Sequence, residues 1–191
     1  MKKWSLILLS LVFIQSVAVA ETYTVDAGAS KVKWMATKVG GKHHGVIKVS
    51  SGVIQFENGK FLGGEAAIDM SSIKVKDIKD EKGQRKLANH LKSADFFDVE
   101  KFPSAQIKIT EVKPAGENLY DVTADITIKG ITQPGKFQAK VEQTKKGVKA
   151  EATLTVDHTL YDVRYGSGKF FENLGDHMID DKFTLEVSVK A

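Results

Sequence analysis

Residues 120–141 alternate apolar and polar side chains with a single interruption. From Tyr120 to Lys129 every even position is apolar and every odd position is polar. Strict alternation over about ten residues is typical of a strand with one face in water and one face buried. The segment 130–135 has turn chemistry, and the alternation resumes over residues 136–142. The pattern predicts a long antiparallel hairpin, and the functional question is what its apolar face covers.

The same pattern recurs along most of the chain. Asn58-Gly59 is a strong hairpin signal between two such runs, and Ser50-Ser51-Gly52 indicates a bulge within one of them. Further strands are predicted at residues 22–26, 31–37, 46–56, 62–70, 104–112, 150–156, 160–164 and 183–189. With no internal repeat and no linker, about eight or more alternating strands predict one all-β domain, an antiparallel barrel or a sandwich.

One short amphipathic helix interrupts the strands. Leu87, His90, Leu91 and Ala94 have the i, i+3, i+4, i+7 spacing of a single helical stripe. The charged segment 74–86 before them is interpreted as a solvated excursion. A helix avoids the residue before a proline, so Pro103 sets a limit on its far end.

The first twenty residues predict a secretory signal peptide, with cleavage after Ala20. Lys2-Lys3 precedes an apolar run at residues 6–14, and Ala18-Val19-Ala20 ends it. A membrane anchor is the alternative, but the run is shorter than the roughly 20 residues of a spanning helix. The expected mature domain is residues 21–191, exported and without a membrane span. Since the sequence has no cysteine, the stability of this domain depends on its hydrophobic core rather than on disulfides.

Charge and motif content exclude several classes of site. Without Lys2 and Lys3, 26 basic residues face 24 acidic ones with no arginine cluster, which argues against nucleic-acid binding. The five histidines show no fixed ligand spacing, so no metal site is predicted. Asp176-His177 resembles an acid–base pair but is interpreted as part of a charged turn. The serines have no nucleophile-elbow context.

Many residues on the predicted inner face are small. They are Ala36, Gly64, Ala66, Ala124, Ala139, Ala150 and Ala152. A filled core needs larger side chains to reach close packing, whereas a barrel of about eight strands has room for side chains or one small ligand. The residues alone therefore leave two interpretations open: a lumen that holds a guest, or a solid core completed by Trp34, Phe137 and Phe183.

Three segments resemble the YceI-like proteins. Residues 89–98 (NHLKSADFFD) followed by Phe102-Pro103 are similar to that family's helix and the segment after it. Residues 124–132 (ADITIKGIT) resemble its L-T-I-K-G-I/V-T hairpin, and residues 165–176 resemble its C-terminal stretch. The resemblance covers nearly all of the mature chain in the right order. One departure is Asp157-His158, where the family often has Asp-Arg.

The resemblance implies a lipocalin-like eight-stranded antiparallel β-barrel with one short helix, located in the periplasm. It implies a lumen that holds a long apolar isoprenoid chain, a polyprenyl lipid or an isoprenoid quinone, in a family with no agreed enzymatic activity. We predict no catalytic residue, no metal and no other cofactor. The predicted ligand-lining residues are Trp34, Ala36, Ala66, Ile68, Leu91, Ile107, Ile109, Ala124, Ile126, Phe137, Ala139, Ala152, Leu154, Phe183 and Leu185. The aromatic pairs Phe96-Phe97 and Phe170-Phe171 are predicted to close one barrel end.

Two other functions remain as alternatives. The chain could be an enzyme acting on a small lipid-like substrate through Asp176, His177 or His90, which requires titratable groups that converge on a cavity. It could also be a stress-response interaction protein whose barrel is only a scaffold, which would show a filled core and an exposed apolar patch. The sequence leaves the oligomeric state open, a homodimer included.

Overall fold

The computed structural model describes residues 20–191. The predicted signal peptide lies outside this range except for Ala20. The described strands are β1 Ala20–Thr24, β2 Lys31–Lys38, β3 Gly41–Glu57, β4 Lys60–Val75, β5 Ser104–Gly116, β6 Leu119–Ile128, β7 Ile131–Thr144, β8 Gly147–Asp157 and β9 Ile179–Lys190. The helix α1 is Glu81–Lys92, and 3-10 helices cover His158–Tyr161 and Gly175–His177. Across residues 20–191, no helix is long and apolar enough to cross a membrane.

Strands β2 to β9 form a closed antiparallel barrel. The order β3-β2-β9-β8-β7-β6-β5-β4 returns to its start because β4 also pairs with β3. The short β1 pairs with the far half of β3, from Ala20 opposite Glu57 to Thr24 opposite Val53, where β2 no longer reaches. The predicted barrel is confirmed, and the sandwich alternative is wrong. Closure gives each strand from β2 to β9 a neighbour on both sides over at least part of its length.

The hairpin of β6 and β7 is longer than the sequence indicated. Its turn is only Lys129-Gly130, both with positive φ, as in the tight two-residue turns that match strand twist. Residues 131–135, predicted as turn, already belong to β7. Pro134 fits in this strand because β7 pairs with β8 only from Ala139 onward, which leaves one side of β7 without ladder partners at Pro134.

Two other predicted segments differ from the structure. Helix α1 begins at Glu81, inside the supposed solvated excursion, because the Asp80 side chain caps it by accepting a hydrogen bond from the Gly83 N–H. Residues 160–164 are not a strand: His158–Tyr161 is a 3-10 helix that ends at Asp162 in the left-handed conformation. The predicted bulge near Ser51 is confirmed by a register shift between β3 and β4.

The antiparallel ring gives the barrel two unlike ends. The lower end contains β1 and the tight connections β3–β4, β5–β6 and β7–β8. The upper end contains the β2–β3 and β6–β7 turns and two long connections. One is α1 with residues 93–103, called here the helical cover. The other is residues 158–178, called here the loop cover.

Candidate functional site: the barrel lumen

The barrel encloses a cavity of about 260 Å³. Side chains from all eight barrel strands and from the helical cover line it, and almost all of them are apolar. For scale, an apolar cavity of about 150 Å³ in a protein core is enough to hold benzene. By that proportion, the lumen has room for roughly ten carbon atoms without any rearrangement.

The structure places fourteen of the fifteen predicted lumen residues on the cavity wall. They are Trp34, Ala36, Ala66, Ile68, Leu91, Ile107, Ile109, Ile126, Phe137, Ala139, Ala152, Leu154, Phe183 and Leu185. Thirteen of them lie on strands and Leu91 lies on the helix, each on the inner side, and their contact with a ligand stays a prediction.

Ala124 is the exception. Its exposure is 0%, and it does not line the cavity. Its cross-strand neighbour Ile109 and the next residue on the same face, Ile126, line the cavity instead. A methyl group is too short to reach past two isoleucine side chains, so Ala124 faces inward but lies beneath them.

Small residues lie beside one another on the wall. Ala139 of β7 is directly opposite Ala152 of β8, and both line the cavity. Side chains directly opposite in an antiparallel pair are each other's nearest neighbours on that face. Pairing small with small leaves space that pairing small with large would fill. This arrangement answers the question that the residues left open, because the barrel centre is not solidly packed.

Trp34 lies across the wall where β2 meets β3. Its indole lies over Gly45, its cross-strand partner, where an added Cβ would overlap the ring and the carbonyl oxygen of Lys74. Glycine is thus required for this packing. The indole Nε1 is buried and has no hydrogen-bond partner among the described residues. An unpaired buried donor of this kind costs about 1–3 kcal/mol.

His158 is the polar side chain that lies buried at the lumen. Its Nδ1 is 2.6 Å from the carbonyl oxygen of Val163, and its Nε2 is 3.2 Å from the carbonyl oxygen of Asp180. Both ring nitrogens are thereby engaged with backbone, which fixes the start of the loop cover to β9. The other polar residues on the wall, Glu65, Gln106, Glu151 and Asp180, are exposed residues on the outer face of their strands.

The lower end is plugged by aromatic side chains from the strands themselves. The ring of Phe56 has its centroid 5.8 Å from Tyr23 and 5.7 Å from Phe61, and Phe61 is 5.2 Å from Tyr120. Phe56 is only 2% exposed. The Gln143 Nε2 donates a hydrogen bond of 2.8 Å to the Tyr23 hydroxyl, which ties the plug to β7. This end is closed by core packing.

The upper end is closed by the two covers. Leu91, Phe96 and Phe97 of the helical cover line the cavity from above. Tyr165 of the loop cover lies against this segment, with ring centroids 4.7 Å from His90 and 5.1 Å from Phe96. We call this contact the aromatic seam. The prediction that Phe96 and Phe97 close one end agrees with this arrangement, but Phe170 and Phe171 lie largely exposed, so the same prediction was wrong for them.

Ion pairs hold the loop cover to the barrel rim. The Lys169 Nζ donates to the Asp157 carboxylate at 2.8 Å and lies 3.5 Å from Asp181. The buried Ser167 hydroxyl donates to Asp181 at 2.5 Å. Burial opposes ionisation of Asp157 most strongly, but hydrogen bonds from Lys169 and Thr159 together outweigh it and hold the pKa of Asp157 below its usual value. We call the contacts of Lys169 with Asp157 and Asp181 the Lys169 clamp. This clamp is strongest when the Asp157 carboxylate is ionised.

The titratable groups considered for catalysis do not converge on the lumen. Asp176 and His177 are exposed residues of a 3-10 helix at the rim. His90 Nε2 is 3.2 Å from Asp95 on the outside of the helical cover. Among the described residues, no three His, Asp or Glu side chains are grouped as a metal ion would require.

Several residues on the cavity wall were not among the predicted ligand-lining residues. Val32, Ile47, Val49, Ile73, Val156 and Val187 also line the cavity. Their position in the alternating runs was a usable signal, but large β-branched residues look the same in a filled core. Val163 and Ile179 were not predictable in this way, because Val163 belongs to the loop cover and Ile179 begins β9 before the alternating run at residues 183–189.

The fold and parts of the sequence match known proteins. The chain is 31% identical over 125 residues to a UPF0312 protein of Pseudomonas putida (strain W619), which covers 64% of this chain and 62% of the relative. The chain thus spans about three fifths of the length of the curated relatives it matches first.

Two solved structures share the barrel. BcnA of Burkholderia cenocepacia aligns with a TM-score of 0.71 and 22% identity, over 87% of this chain and 99% of that one. A polyisoprenoid binding domain from Saccharophagus degradans, implicated in plant cell wall breakdown, aligns with a TM-score of 0.62 and 13% identity, over 87% and 95%. At 22% and 13% sequence identity, this structural likeness establishes the shared fold and no more.

The family profile for the YceI-like domain matches residues 23–191, which is nearly the whole described range. That match agrees with the segments around the helix, the β6–β7 hairpin and the loop cover that carried the resemblance. The chain belongs to the YceI-like domain family.

Proposed function

We propose that this chain binds a long apolar isoprenoid-type lipid, a polyprenyl lipid or an isoprenoid quinone, in the barrel lumen, and carries or stores it in the periplasm without catalysing a reaction. The observation that carries the proposal is the cavity of about 260 Å³ enclosed by apolar and small side chains. Family membership supports it, as does the shared fold of the polyisoprenoid binding domain from Saccharophagus degradans.

Energetics favours a long chain over a short one. Each buried methylene contributes about 0.8 kcal/mol, so roughly ten carbons contribute about 8 kcal/mol. Association costs about 4–15 kcal/mol, which leaves a short ligand weakly bound at best. A chain that also displaces the covers or extends between them buries more carbons for the same cost. Affinity should therefore rise with the number of isoprene units and depend less on the head group.

Lipid extraction and mass spectrometry of the mature protein, purified from the periplasm without detergent, test the proposal. The expected result is a stoichiometric isoprenoid lipid. Ala152→Phe places a ring in the lumen and should reduce bound lipid by at least about tenfold, since it removes space for several carbons. Thr153→Phe is the matched control, because the neighbouring residue of β8 is exposed on the outer face and adds the same ring outside.

Two results would contradict the proposal. One is a mature protein that contains no lipid and binds none when it is offered polyprenols or isoprenoid quinones of several lengths. The other is equal lipid content in the Ala152→Phe and Thr153→Phe variants, which would place the ligand elsewhere than in the lumen.

A further inference from the structure

Exposed apolar side chains concentrate at the upper end of the barrel. Among the described residues, eight large apolar residues are exposed, and six lie at this end: Val39, Leu160, Tyr165, Phe170, Phe171 and Met178. The other two, Met35 and Leu62, lie on the outer faces of β2 and β4. Single exposed apolar residues are ordinary on a protein surface, but a group of them marks an interaction site.

Five of these residues lie on two neighbouring segments, the β2–β3 turn and the loop cover, and are called here the apolar rim: Val39, Tyr165, Phe170, Phe171 and Met178. The backbone N–H of Val39 donates a 2.9 Å hydrogen bond to the carbonyl oxygen of Met178. The sulfur of Met178 in turn lies at Gly168, 3.3 Å from where a Cβ would be, and Gly168 is two residues from Phe170. The β2–β3 turn and the loop cover thus present their apolar residues together.

The apolar rim connects to the lumen through the aromatic seam. Tyr165 belongs to both, since its ring packs on His90 and on Phe96. Phe96 lines the cavity on the opposite side of the cover. The contact between Tyr165 and Phe96 is aromatic, and the His90 ring beside it pairs with Asp95 at 3.2 Å. A lipid that passes between Tyr165 and Phe96 would cross this aromatic contact.

Charged side chains of both signs accompany the rim: Glu172 and Asp176 of the loop cover are exposed acids, whereas Arg164 and Lys169 are paired. Arg164 Nε is 2.6 Å from the Asp162 carboxylate, and Lys169 pairs with Asp157 and Asp181. The Arg164 guanidinium also lies 5.1 Å from the centre of the Phe170 ring, so it flanks the aromatic surface. A surface without a strong field of one sign is suited to apolar insertion rather than to electrostatic attraction.

We propose that the apolar rim docks on the surface of a lipid bilayer, and that the isoprenoid passes between bilayer and lumen through the aromatic seam. This inference rests on the proposed function, because an isoprenoid chain resides in membranes before a soluble carrier takes it up. Exposed aromatic residues beside an apolar face are what an interfacial protein inserts, to a depth of about 5–10 Å. A second copy docked on the rim would instead block the seam and keep both lumens from a membrane.

Vesicle flotation tests the docking. The mature protein is mixed with phosphatidylcholine vesicles, and with vesicles that also contain phosphatidylglycerol. The double variant Phe170→Ser/Phe171→Ser should float at least about fivefold less than the wild type, because two side chains that are 42% and 49% exposed lose their apolar surface. The matched control is Met35→Ser/Leu62→Ser, which makes the same kind of change at residues 40% and 50% exposed on the barrel side, and it should float like the wild type.

Salt and transfer measurements complete the test. Raising ionic strength from about 50 to about 500 mM should change flotation less than twofold, since screening acts on charges and not on apolar insertion. Transfer of a preloaded polyprenyl lipid into vesicles should slow in the rim variant and not in the control. Loading the lumen from detergent micelles should be equal in all three proteins. If micelle loading fails in all of them, the proposed function is wrong, whatever the flotation shows.

Three results would overturn the inference. The wild type could fail to float with either vesicle. The control variant could lose as much flotation as the rim variant, which would indicate a general loss of surface apolarity. Sedimentation equilibrium could show a wild-type dimer that the rim substitutions convert to a monomer without any vesicle binding, which would assign the rim to a contact between copies of this chain.

Discussion

The two ends of the barrel are closed in different ways. At the lower end the rings of Phe56, Phe61 and Tyr120 belong to barrel strands, and each side chain is held by the hydrogen-bonded ladder of its strand. At the upper end the closing residues lie in connections outside the sheet, and they meet through the aromatic seam and the Lys169 clamp. Opening the lower end requires damage to the core, whereas the upper end can open while every strand pair stays intact.

The lower plug should dominate stability. Phe56→Ala removes a fully buried ring and should lower the free energy of unfolding by about 3–5 kcal/mol, measured from the denaturation midpoint in urea. Phe171→Ser, at the opposite end and half exposed, should stay within about 0.5 kcal/mol of the wild type. Equal losses in the two variants would mean that the ends do not differ in this way.

The upper seam should dominate ligand exchange. Tyr165→Ala removes the ring that packs on His90 and Phe96, so release of a bound polyprenyl lipid to a soluble acceptor such as cyclodextrin should accelerate by about tenfold, for a loss on the order of 1.4 kcal/mol of seam contact. A soluble acceptor keeps membrane docking out of the measurement. Tyr120→Ala at the lower plug serves as the comparison. Faster release from Tyr120→Ala than from Tyr165→Ala would place the exit at the lower end.

The clamp on the loop cover should respond to acid, with a smaller effect. The pKa of Asp157 is lowered in the folded protein, so its contribution is present above its usual pKa of about 3.9 and is lost as pH falls through the lower folded value. Release of bound lipid should therefore be about two- to threefold faster below the lowered pKa of Asp157 than at pH 6, a modest change because Lys169 is half exposed. Asp157→Asn should release lipid at the faster rate already at pH 6.

Agreement between wild type and Asp157→Asn at pH 6 would contradict the role of the clamp. The His43–Asp77 pair provides a control substitution, in which a second carboxylate with a lowered pKa is removed away from the clamp. Burial opposes ionisation of Asp77 most strongly, but hydrogen bonds from the His44 backbone and the His43 ring hold the pKa of Asp77 below its usual value. Asp77→Asn should leave the release rate at pH 6 unchanged, since Asp77 lies outside both the clamp and the seam.

The sequence predicted the wall far better than the covers. Trp34, Leu154 and Leu185 were assigned to the inner face from alternation alone, and they lie side by side across β2, β9 and β8. Side-chain direction in a strand has a period of two, which needs no knowledge of the partner strand. The same rule could not show that Ala124 lies beneath Ile109, because that depends on the size of a neighbour on another strand.

The structure of the two covers could not be predicted from the sequence for a different reason. The start of α1 at Glu81 depends on the Asp80 cap, inside a segment whose charge alone indicated a solvated loop. Phe170 and Phe171 were predicted to close one barrel end, yet they are exposed and do not line the cavity. A loop has no periodicity that assigns a side chain to one face, so only its tertiary contacts decide it.

The sequence by itself determined an all-β domain, the alternation that gives each strand an apolar face, and the membership in the YceI-like family that this pattern and its motifs indicated. Whether the apolar faces enclose a cavity was decided only by tertiary structure. The β3–β4 pairing closes the ring, and the Ala139–Ala152 pairing brings two small residues face to face on the cavity wall. The physical reason is that alternation is a local property, whereas enclosed volume depends on which distant residues lie opposite one another.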